Sequence, residues 1–212
     1  EMDGFGNSFL SMKENPGFFP MINTAPWNKL FRTELLQISE ASYNPPRIMD
    51  DMTTHAAFML HCDTVAFVST PLYNYFIRPG SHIHSLTTAD IQAPASSLAQ
   101  FRSQAAAQGN SELQKVIDLM AFIHFGVSAL SRFVAGPKEK LDEYQIYLKH
   151  LLDGTFPLYR HNEFCTLAYN QQHNNQNLKP LLALWCYRIR LLVPSLQVYN
   201  FLTRKLGVDI KW

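Results

Sequence analysis

Two adjacent carboxylates, Asp50-Asp51, stand before the apolar stretch MTTHAAFMLHC. Taken alone they read as a helix N-cap with an extra acidic residue beside the positive end of the dipole. Asp51 and His55, four residues apart on one helix face, would form half a metal site, with a packed or capping histidine as the plainer alternative. His82 and His84 could ligate a divalent metal together with a carboxylate, or stand as a solvated pair in a turn. Asp50, Asp51, His55 and the two turn histidines would together make a small metal-dependent hydrolase, although in no recognised ligand spacing. Upstream, Trp27-Asn28-Lys29 reads by residue type as a core anchor followed by a surface charge.

The elements that must position these groups follow from composition and punctuation. With 212 residues, 47% hydrophobic and 17% charged, the chain can bury a sizeable core as one large domain or two small units. A net charge of +1 removes the positive field of a duplex binder, so nucleic acid is excluded as the expected partner. Cys62, Cys165 and Cys186 are odd in number and far apart, which argues for a reducing compartment and against zinc. No run of about 18 consecutive apolar residues marks a simple membrane span. Residues 1–25 predict irregular chain with apolar anchors. A short strand or turn at Trp27 leads to a helix over 33–39, broken by Asn44-Pro45-Pro46, and a second helix starts at Asp51 with Met52, Ala56, Met59 and Leu60 near one face. TVAFVSTPLYNYFIR predicts two short strands or one bulged strand, ended by a turn at Arg78-Pro79-Gly80-Ser81. Helices are predicted over 90–108, 111–134, 137–152, 156–170 and 178–206, the last kinked at Pro194, with Asn170 to Asn177 as a solvated loop.

The order of three segments is informative: Trp-Asn-Lys, then Asp50-Asp51, then an aromatic stretch ending Arg-Pro-Gly-Ser. That layout resembles family 2 glycosyltransferases of the GT-A fold, over about residues 20–88. The resemblance implies an inverting transfer of sugar from a nucleotide-sugar donor to a hydroxyl of a glycan or lipid-linked acceptor. Asp51 would be the general base and Asp50, where the family more often has Glu, a supporting group. Arg78, Ser81, His82, His84 and Ser85 would close over the donor diphosphate, and Trp27, Asn28 and Lys29 would line the acceptor side. The family holds nucleotide-sugar and Mg or Mn through an upstream half ending in an Asp-x-Asp motif. No such motif precedes Trp27 here, nor a glycine-rich strand-to-helix unit. The chain therefore reads as a piece of a longer product, inactive alone, with Met2 after a cloning residue as the alternative.

The expected fold is α+β and mostly α-helical: residues 1–88 as a remnant of the GT-A acceptor half with short strands, and residues 89–212 as a bundle-like helical appendage. The last helix combines Leu181, Leu184, Trp185, Leu192, Leu196, Tyr199 and Leu202 with Arg188, Arg190, Arg204 and Lys205. That pattern suits either a packed helix with snorkelling arginines or a membrane interface. The expected setting is cytoplasmic, with peripheral attachment to the inner face of the membrane, in surface polysaccharide or glycan synthesis. The alternative is a non-catalytic helical interaction or membrane-surface module.

Overall fold

A computed structural model describes residues 8–38, 46–59, 61–74, 76, 86–174 and 177–206. Helix dominates, at 69% against 4% strand, so the chain is mostly α with one small antiparallel sheet. It divides into two compact units, Glu1–His82 with Gln92–Ile117, and Ile83–Ile91 with Asp118–Trp212.

In the first unit, β1 (Ser8–Ser11) pairs antiparallel with β2 (Thr64–Phe67), Ser8 opposite Phe67 and Ser11 opposite Thr64. A strand in the first 25 residues corrects the expectation of irregular chain there. The partner that completes its ladder lies more than 50 residues on, beyond the reach of a local pattern. The expected anchors do hold: Phe18 and Phe19, in the 3-10 turn Pro16–Met21, are buried. Trp27 falls in another 3-10 turn, Pro26–Asn28, ahead of α1 (Thr33–Ile38). The helix α2 (Asp50–Met59) buries Met52, Thr53, His55, Ala56 and Ala57. It is held by Phe58 against Phe31, ring centroids 4.7 Å apart, and by His55 against Phe19 at 5.3 Å. After β2, residues 71–74 and 76 form no strand, so TVAFVSTPLYNYFIR yields one strand among the described residues. Pro71 removes a ladder donor, and Leu72, Tyr73 and Phe76 lie exposed.

The helix α3 (Thr88–Ala107) opens with Thr87, whose N–H and hydroxyl donate to Asp90, and closes on Gly109 at φ 69°. The Asn110 side chain then accepts from Leu113 N–H and starts α4 (Ser111–Ala121). That helix runs on through a π segment, Phe122–Ala129, into α5 (Leu130–Val134). Residues 111–134 are long and apolar enough to cross a membrane, at mean hydropathy 1.4, but 72% of that window is buried inside the protein, as in a core helix.

In the second unit α6 (Lys138–Thr155), α8 (Lys179–Arg188) and α9 (Leu192–Leu206) pack on the 118–134 part of that helix, and α7 (Leu167–Gln172) packs on the turn Glu163–Cys165. Tyr144 stacks on Phe133 at 3.9 Å and donates its hydroxyl to Phe125 O at 2.9 Å. Phe122, Tyr159 and Tyr187 form an aromatic triad at 5.5 to 5.7 Å. A buried carboxylate, Asp118, accepts from Leu158 N–H at 2.7 Å across 40 residues of chain. The helix expected over 156–170 is instead two 3-10 turns, Pro157–Tyr159 and Glu163–Cys165, followed by α7. Asn162 and Thr166 each turn a side-chain oxygen onto a downstream N–H, starting new turns rather than continuing one helix. Asn170, placed in a solvated loop by its neighbours, is buried within α7.

Candidate functional site

In the first unit, groups from three separate segments interact in two pairs, Trp27 with Tyr73 and Lys29 with Asp51. Asp50 and Asp51 are the first two residues of α2, after Met49 at φ 60°, so the position flanking the helix belongs to Met49, not to either carboxylate. Asp51 Oδ1 accepts from Met52 N–H at 2.7 Å, which fixes the carboxylate at the positive end of the helix. Asp50 is exposed and Asp51 half-buried.

Lys29 is tied into the preceding turn. Its ammonium donates to Ala25 O at 2.9 Å, to Asn28 Oδ1 at 2.8 Å and to Asn23 O. Burial pulls it down to about 8, and the Asp51 charge opposes that pull, so Asp51 lies within electrostatic reach. Trp27, on the same turn, stacks on Tyr73 with centroids 6.4 Å apart and planes at 27°. Both rings stay open, Trp27 at 44% and Tyr73 at 58% exposure. The result is an exposed aromatic pair close in sequence to a cation that feels the α2 carboxylate.

Trp27, Asn28, Lys29, Asp50 and Asp51 are thus placed. Arg78, Ser81, His82, His84 and Ser85 lie outside the described residues. Tyr73 was not singled out by sequence reasoning; the signal available was a Tyr at the start of the aromatic stretch, with nothing to tell which ring would meet Trp27. His55 is buried beside Phe19, the packed reading of that histidine. Among the described residues no three His, Cys, Asp or Glu side chains gather as metal ligands. No protein-family model, characterised protein or solved structure matches the chain.

Proposed function

We propose that the chain is the acceptor-side part of an inverting glycosyltransferase of the family 2, GT-A type, the donor-binding half lying outside it. The observation that carries the reading is the convergence of Trp27 with Tyr73 and of Lys29 with Asp51. A sugar ring offers an apolar face to an aromatic surface and hydroxyls to polar groups beside it. Asp51 would remove the acceptor hydroxyl proton as the oxygen attacks the anomeric carbon, because an unassisted sugar hydroxyl is a weak nucleophile. The bond to the nucleotide diphosphate breaks with its electron pair on the leaving oxygen, on the face opposite attack. Arg78, Ser81, His82, His84 and Ser85 would receive that charge. Glycan or lipid-linked acceptors, a divalent Mg or Mn held by the donor half, and a cytoplasmic site of action belong to this proposal. Its test is sugar transfer by the complete gene product after Asp51→Asn, where the reading requires loss of turnover.

A second reading, a non-catalytic membrane-surface module, has its own observation. Leu182 and Trp185 in α8, with Leu178 and Ile189 flanking it, are exposed at helical spacing, as are Val198, Phe201 and Leu202 in α9, with Lys179 and Lys205 among them. This reading predicts flotation of the chain with anionic vesicles, abolished by Trp185→Asp with Phe201→Asp. Recovery of the wild-type chain wholly in the unbound fraction contradicts it.

A further inference from the structure

The second unit holds a groove of about 680 Å3 between α6, the turn after Tyr159, the end of α8 and the start of α9. That volume is in the range of ligand sites. Its apolar lining comes from Leu130, Ile146, Leu148, Leu192 and Val193. Its polar lining is mostly basic, Lys149, Arg160, His161, Arg188 and Arg190 beside Gln145 and Tyr187, with no acidic residue among the lining side chains.

One carboxylate, Asp153, serves two of these cations from behind. It accepts from Lys149 at 2.9 Å and from Arg160 through both of its oxygens at 2.8 and 3.0 Å. Tyr159 adds a third donor at 3.0 Å. Burial works to raise the Asp153 carboxyl, but these donors prevail and hold it at about 2. Arg188 spends one donor on Arg160 O, leaving others of its five available. Arg190 and His161 make no side-chain hydrogen bond or ion pair among the described residues. The lysine and arginine charges of the lining therefore outnumber Asp153, the carboxylate bonded to two of them among the described residues.

Arg190 also stands where its backbone would favour another residue. Arg190 N–H donates to Tyr187 O at 3.1 Å and Leu191 N–H to Cys186 O at 2.7 Å, the bond pair of a Schellman motif. Arg190 is its left-handed residue, at φ 62°. The same motif closes α3 with Gly109 at φ 69°, the residue that conformation prefers. An arginine in a conformation that favours glycine places a guanidinium on the groove at a conformational cost.

We propose that this groove binds a phosphorylated amphiphile, its phosphate held by Arg190, Arg188 and His161 and its apolar portion lying along Ile146, Leu148, Leu192 and Val193. Guanidinium forks match phosphate oxygens, and a chain of methylenes matches the aliphatic lining. The proposal stands independently of the glycosyltransferase reading, since it concerns the other unit.

Isothermal titration of the 212-residue chain with decyl phosphate below its micelle concentration tests it. Inorganic phosphate and decyl maltoside serve as the two comparison probes. One saturable site is expected for decyl phosphate, with neither comparison probe matching it. Arg190→Gly should weaken binding by about tenfold or more, as loss of a charged hydrogen bond does, while thermal stability stays equal or rises because glycine suits the backbone. Ile146→Asp, at a position 64% exposed and so tolerant of substitution, should weaken it as well. The proposal is overturned if decyl phosphate gives no binding at millimolar concentration, or if either comparison probe binds as tightly. It is equally overturned if both variants keep the wild-type affinity.

Discussion

His124, in the π segment, is half-buried, and desolvation, with the Arg132 charge adding to it, pulls its imidazole down from the ordinary 6.5 to about 4. The folded state then holds fewer protons than the unfolded chain between those two values, so stability rises with pH from about 4 to 6.5 and falls on acidification through the same window. In urea titrations, the wild type should lose stability relative to His124→Gln as pH drops from about 6.5 to 4; parallel curves would contradict the assignment. A shift of this kind was not legible in the sequence, because it depends on what surrounds the ring. Trp27, Lys29 and Asp51 each sit at a place the sequence marks, a Pro-Trp turn and a paired carboxylate at a helix start. Tyr73 was not so marked, since several aromatic residues of its stretch could have met Trp27. Arg190 was visible as a charge but not as a left-handed residue, since glycine is what that conformation announces in a sequence.

At the scale of elements, the long helix over residues 111–134 was read with the boundaries it has, because Gly109-Asn110 and Gly136-Pro137 punctuate both ends. Its π interior was hidden. A π turn changes hydrogen-bond register without changing composition. Gly126 lies inside it, where an added Cβ would stand 2.9 Å from the Phe122 ring, so the glycine makes room for the aromatic triad. Tyr144 fixes the same stretch through its bond to Phe125 O, in a buried setting with both partners committed. Tyr144→Phe should therefore destabilise the fold by about 1–2 kcal/mol in urea unfolding, since it leaves a buried carbonyl short of a donor. An unchanged midpoint would show that the hydroxyl contributes nothing. The helix expected over 178–206 divides into α8 and α9 at Arg190. Pro194, expected to kink a continuous helix, occupies the first turn of α9, where a missing N–H costs no intrahelical bond. The apolar residues of that stretch accordingly separate: Leu184, Leu192 and Leu196 are buried, while Trp185 and Leu202 are exposed. Periodicity in a continuous helix could not assign them, because the break changes which face each helix turns inward.

For the whole molecule, two compact units carry two different chemistries: an aromatic and carboxylate site in the first, and a basic and aliphatic groove in the second. Mostly helical character was readable from capping and composition, and the antiparallel pair among the described residues was not, because β1 and β2 lie more than 50 residues apart in sequence. The central claim is that Asp51 is the base of a sugar transfer. It is tested most directly by initial rates of transfer from nucleotide-sugar donors, measured on the complete gene product as wild type and as Asp51→Asn. With folding matched by circular dichroism, the account predicts turnover lowered by about 10²- to 10⁴-fold, the contribution of a positioned general base. Transfer at the wild-type rate by Asp51→Asn would contradict it.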